Sequence, residues 1–262
     1  MKTNVTITVK NGAGETLAEE THETAADLYL EHEYEDGDRV EIRGDKHMWV
    51  QMDPGLLSGE VYLPEKKMSW RVPLGERLRA YSPAAVRGKQ HVISARVMDD
   101  FETAGYRCIS RNPSDLRGDT DFYPHCTANV VTRDESCFAP RNVIDGYILN
   151  KGHGDWPYQS WGIGKRTDAE IELDLGREVS VEAVGLVLRG DFPHDTYWKS
   201  GVLTFEDGDV IAFPLVKSLE RQWIDIRRMH RVRRLKLDRF IKSDEPSEFP
   251  SLIQWEVYGR DL

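Results

Sequence analysis

Two short stretches concentrate the side chains able to hold a polar ligand. His153, Asp155, Trp156, Tyr158 and Trp161 fall within nine positions, and Arg189, Asp191, His194, Asp195, Tyr197 and Trp198 within ten. The mixture suits a saccharide. A flat aromatic ring covers the C–H face of a pyranose, while charged donors and acceptors fix its hydroxyls. The residues expected to contact such a ligand are His153, Asp155, Trp156, Arg189, Asp191, His194 and Trp198, with Arg189 and His194 foremost. Trp161 is expected to lie in the core. Asp155 and Asp191 are the carboxylate pair that a glycan-cleaving enzyme would draw on.

Other chemistry finds little footing. His125, Cys126, Cys137, His153 and His194 could in principle gather around zinc, yet no pair has the short ligand spacing of a structural zinc site. The three cysteines, Cys108, Cys126 and Cys137, follow no redox spacing and read as reduced structural thiols. Neither a phosphate-binding loop nor a nucleophile elbow occurs.

These residues need a scaffold, and the periodicity supplies one. Val5, Ile7 and Val9 alternate with threonines and run into Asn11-Gly12, a strand entering a hairpin turn. Further strands are predicted at 39–43, 49–52, 60–63, 69–72, 91–97 and 106–110. Others follow at 170–175, 181–188, 201–206, 210–214, 223–226, 235–237 and 253–258, with Asp207-Gly208 as a tight turn. Segments 21–29 and 142–149 are expected to hold a turn or two of helix. Many short strands separated by turn residues predict an all-β protein of two β-sandwich or jelly-roll domains. The boundary is placed in the Asn/Pro/Asp/Gly-rich stretch near Ser114. This gives an N-terminal domain of unknown role over 1–113 and a second domain over 114–262.

Three segments of the second half carry a resemblance: Arg141-Asn142-Val143-Ile144-Asp145-Gly146, Ser160-Trp161-Gly162-Ile163, and Ile253-Gln254-Trp255-Glu256-Val257-Tyr258-Gly259. Set in this order around an alternating strand, residues 128–259 resemble the galactose-binding-like superfamily, which includes discoidin (coagulation factor 5/8 type C) domains and family 32 carbohydrate-binding modules. The stretches around His125, His153 and Asp191 look like a bacterial subgroup of uncertain function. The resemblance implies a sandwich with its first and last strands side by side, a ligand site in loops at one end, and a structural calcium held by Asp145, Ser160 and Glu256.

The function expected is that of a non-catalytic carbohydrate-binding protein. A glycan-active enzyme using the loop carboxylates and a protein–protein interaction module are the alternatives. The formal net charge of -10 forgoes the counterion release that drives nucleic-acid binding, so DNA and RNA are not expected partners. The basic run from Arg227 to Arg239 is read as the solvent face of strands. No apolar run reaches the ~20 residues of a membrane span. Residues 1–10 lack the apolar stretch of a signal peptide, so a cytoplasmic location is expected, or secretion if a leader has been trimmed away. Oligomeric state and ligand identity are not legible.

Overall fold

The computed structural model describes residues 3–191 and 196–262. Every strand pairing is antiparallel. The first half holds β1 (Asn4–Lys10), β2 (Thr16–Glu23), β3 (Ala25–Glu31), β4 (Arg39–Arg43), β5 (His47–Gln51), β6 (Gly59–Tyr62), β7 (Lys67–Arg71) and β8 (Gln90–Val97). They form two four-stranded sheets in the orders β2-β1-β4-β7 and β3-β8-β5-β6. The inward positions obey the period of two that a pleated strand imposes. Val5, Ile7 and Val9 of β1 are fully buried, and Ala26, Leu28 and Leu30 of β3 meet them in one apolar core.

The helix expected over 21–29 is not formed. Apolar residues at 26, 28 and 30 recur every second position, and Thr24, at a φ of 63°, turns the chain from β2 into β3. Edge strand β2 is exposed along nearly its whole length and carries Glu19, Glu20 and Glu23. Such charges discourage another chain from pairing with the edge. The helix expected over 142–149 shrinks to a 3-10 turn at Pro140–Val143.

The second half builds one nine-stranded sheet folded on itself. It comprises β9 (Arg107–Cys108), β10 (His125–Ala128), β11 (Trp161–Gly162), β12 (Ile171–Leu188), β13 (Trp198–Phe205), β14 (Val210–Pro214), β15 (Gln222–Ile224), β16 (His230–Lys242) and β17 (Ser251–Asp261). The strands expected at 170–175 and 181–188 are a single strand, β12. Gly176, at a φ of 75°, marks its bend. Before the bend β12 pairs with β10 and β16, and towards its end with β17 and β15. One strand therefore runs through both layers of a sandwich whose core includes Leu173, Leu186, Trp161, Trp198 and Trp255.

The stretch around residue 114 is shared by the two cores. Ahead of it, β9 pairs with β17 and Ile109 joins the second core; after it, Phe122 is buried in the first. Arg141, 1% exposed, ties the junction together. Its guanidinium donates to the carbonyls of Asp115, Pro113 and Ala80 at 2.7, 2.9 and 3.3 Å and sits 4.2 Å from the centre of the Tyr81 ring.

Candidate functional site

The two loops singled out in the sequence meet. His153 Nδ1 lies 2.5 Å from Asp191 Oδ2, and Arg189 Nε lies 2.6 Å from Asp191 Oδ1. Arg189 also donates to the Phe249 carbonyl. Backbone bonds place these tips. Arg189 N–H donates to Ser251 at the start of β17, and Gly190 N–H donates to Asn150 in the facing loop. The Asn150 side chain returns bonds to the carbonyls of Leu188 and Leu219.

Burial separates what these residues can do. Arg189 and Asp191 are buried, so their charges face each other. Burial draws the Arg189 guanidinium below its usual range, against the pull of the Asp191 carboxylate. They brace the loop rather than project from it. The side chain of His153 is 40% exposed and forms the accessible end of the chain. Tyr158 is also exposed, and its ring lies against Gly152, where an added Cβ would come within 2.8 Å of a ring carbon. Ring and imidazole thus border one patch of surface.

The first half supplies a part of this rim that the sequence did not reveal. Arg79 lies at the end of the 3-10 turn Gly75–Ala80. Its Nε donates to Asp155 Oδ1 at 2.7 Å, its Nη1 lies 3.2 Å from Glu135, and its carbonyl accepts the Trp156 N–H at 2.9 Å. Trp156 is half-buried and meets Tyr147 edge-on, with ring centres 5.8 Å apart. No spacing rule links position 79 to position 155, so only the fold could bring them together.

Trp198 does not join the rim, and His194 lies outside the described residues. Trp198 is 1% exposed and stacks on Phe240 at 4.5 Å, with Trp161 alongside. It is a core residue, because its position at the start of β13 faces inward. Of the residues expected to hold calcium, Asp145 and Glu256 have nitrogen partners, while the buried Ser160 hydroxyl has no hydrogen-bond partner among the described residues. Calcium wants six to eight oxygens, whereas Asp145 accepts nitrogen donors on both oxygens: Tyr147 N–H at 2.9 Å, Gln254 at 2.8 Å and Gln159 at 2.7 Å. Glu256 is held by Arg221, which donates to it at 2.9 Å and closes a second contact through Nε.

The remaining chemistry-bearing groups have structural partners. His125 lies 2.7 Å from Asp115, and Cys126 N–H donates to the same carboxylate. Burial pushes the Cys126 thiol well above its usual range and Cys137 up to about 12, far from the thiolate a metal or nucleophilic role requires. All three cysteines are free thiols. Among the described residues no helix is long and apolar enough to cross a membrane.

No family model matches the chain, and no curated protein matches it. Solved structures do. One is chitosan-binding module 1 of a chitosanase/glucanase from Paenibacillus sp. IK-5, at 12% identity over 58% of this chain and 99% of that one, with a TM-score of 0.39. A second is the family 32 carbohydrate-binding module of NanJ from C. perfringens in complex with galactose, at 13% identity over 59% and 99%, TM-score 0.42. A third is the lectin domain of lectinolysin complexed with Lewis b, a His 62 mutant, at 17% identity over 60% and 97%, TM-score 0.42. Carbohydrate-binding modules and a lectin domain thus stand among the structures this chain is similar to.

Proposed function

We propose that the chain is a carbohydrate-binding protein that seats a sugar on the rim formed by loops 150–158 and 189–191. The observation that carries the reading is the closure of the two loops through the His153–Asp191 contact of 2.5 Å, with Tyr158 exposed beside it. Arg189 and Asp191 hold the imidazole in place. The accessible polar edge of His153 and the Asp155–Arg79 pair supply hydroxyl contacts, and the Tyr158 ring covers apolar C–H surface.

Binding without catalysis suits the state of the two loop carboxylates. Asp155 is engaged by Arg79 and Asp191 by Arg189 and His153, so both loop carboxyls already have partners and neither projects free towards a glycosidic oxygen, as the acid of glycoside hydrolysis must.

A lone shallow site of this kind should bind with about -4 to -5 kcal/mol, a dissociation constant near the high-micromolar to millimolar range. Calorimetric titration with galactose, N-acetylhexosamine and fucose glycans tests the proposal. Binding of at least one glycan, weakened by His153→Ala and by Tyr158→Ala, is the expected result. A flat response across the panel, or full binding by both variants, overturns it.

A further inference from the structure

A separate hollow lies away from the rim. On the outer face of the second sandwich, β15, β12 and the end of β17 border an open trough of about 830 Å³. Trp223 is its most prominent apolar feature. The indole is 57% exposed and lies over Gly185 of β12, where an added Cβ would come within 3.2 Å of the ring. Gly185 and Trp223 are cross-strand partners, and the missing side chain leaves room for both the ring and the Arg221 stem, whose guanidinium lies 5.4 Å from the indole centre. Met229, also exposed, forms another part of the wall.

The charge of the lining opposes that of the chain. Four arginines, at 227, 228, 231 and 260, stand against the side chains of Glu182 and Asp225, although the whole chain carries -10. Two of the four are engaged. Arg260 lies 2.8 Å from Glu182, and Arg228 lies 2.7 Å from Asp209 and 3.2 Å from Asp207. Arg227 and Arg231 are exposed and make no ion pair among the described residues. Arg227 also sits at a φ of 64°, in the left-handed region that side chains seldom adopt. The Asp225 carboxylate accepts its N–H at 3.0 Å and stabilises that turn. A strained turn that presents an unpaired guanidinium beside an exposed indole is a feature to be explained by what it meets.

We propose that this trough binds an anionic oligosaccharide, stacked on Trp223 and held through its carboxylate or sulfate groups by Arg227 and Arg231. The indole offers a face to the C–H side of a sugar ring, and a guanidinium pairs with a planar or tetrahedral anion through two parallel N–H bonds. Charge complementarity selects an acidic chain over a neutral one, and the open shape admits an extended segment rather than a single end group. The proposal is independent of the rim.

The test titrates the full chain with an oligogalacturonate, a sulfated oligosaccharide, a neutral galacto-oligosaccharide of equal length and poly-glutamate, following tryptophan fluorescence and heat. At least one anionic oligosaccharide should bind. Its affinity should fall about tenfold or more, near 1.4 kcal/mol, in Trp223→Ala and in the Arg227→Gln/Arg231→Gln double variant. It should also weaken as salt rises from about 0.15 to about 1 M, which shortens the screening length from about 8 to about 3 Å. The substituted side chains are exposed, so unchanged circular dichroism should accompany the loss. Carboxylated and sulfated chains then report which anion the arginines prefer. No binding of either, undiminished binding by the variants, equal binding of the neutral chain, or binding of poly-glutamate in their place overturns the proposal.

Discussion

Two buried acidic clusters in this protein have been treated in opposite ways. At the seam between the halves, Glu60 of β6 is gripped by Arg107 at 2.6 and 2.7 Å and by Arg177 at 2.9 Å, while Asp261 receives the same two arginines at 3.2 and 2.7 Å. Behind the loop rim, Asp145 receives three neutral N–H donors, and the Arg141 guanidinium stays 3.8 Å away. Burial raises both carboxyls. Arg107, His47 and Arg177 more than reverse it at Glu60, which falls to about 2, whereas at Asp145 burial prevails and the carboxyl rises to about 6. Both groups have a full set of partners, so the charge of the donors decides, not their number. Arg141 gives its N–H groups to backbone carbonyls and acts on Asp145 as a charge across 3.8 Å, which lowers the carboxyl without offsetting its burial.

The comparison is broken most forcefully at the seam. Arg177→Met leaves Glu60 and Asp261 sharing Arg107, two poorly exposed carboxylates against one guanidinium and the His47 imidazole at 3.5 and 3.4 Å. Stripping a partner from a buried ion cluster costs about 3–5 kcal/mol. Urea unfolding followed by tryptophan fluorescence should show that loss, with the halves unfolding in separate steps as the seam weakens. A loss under about 1 kcal/mol would mean that the cluster behaves like a surface pair and that the halves are joined elsewhere.

Opposite shifts should also write opposite slopes into the pH dependence of stability. Glu60 is lowered from 4.5 to about 2, so its contribution is complete above pH 4.5 and drains away as pH falls towards 2. The shift corresponds to about 3 kcal/mol. Asp145 is raised from 3.8 to about 6, so the folded protein gains stability as pH drops through 6 towards 4 and loses it again as pH rises. That is also about 3 kcal/mol. Thermal melting of the parent chain across pH 3 to 7 should therefore peak on the acid side of neutrality. Glu60→Gln should flatten the acid limb and Asp145→Asn the limb between about 4 and 6. Melting curves with unchanged limbs in either variant would show that the titrating group is another.

How far the sequence foretold this depends on whether a feature is local. Strand Val210–Pro214 and its Asp207-Gly208 turn were legible because alternation and turn chemistry lie within a few residues. The continuity of β12 was not: Gly176 looks like a terminator, and only sheet pairing on both sides shows a bend. In the rim, His153 and Asp191 could be nominated by residue type and their loops do meet, but the burial of Arg189 and Trp198 could not be read from type alone. Arg79 left no signal at all. Trp223 left one, since it stands between Gln222 and buried Ile224 on an alternating strand, and an outward tryptophan there is the kind of exception that asks for a ligand.

The smallest effect gives the sharpest control. Arg79 also reaches from the first half to the second, through Asp155 at 2.7 Å and Glu135 at 3.2 Å, but its side chain is 36% exposed and that of Asp155 57%. Water already solvates these charges, so Arg79→Ala should cost no more than about 1 kcal/mol, even though it removes two cross-contacts at once. The bond from Trp156 N–H to the carbonyl of residue 79 survives the substitution and should keep the loop in place. Melting temperature should then stay close to that of the parent while any sugar affinity of the rim declines, because the freed Asp155 loses its fixed orientation. Should Arg79→Ala instead destabilise as much as Arg177→Met, contact between the halves would matter more than burial, and the contrast between the seam and the rim would have to be drawn on other grounds.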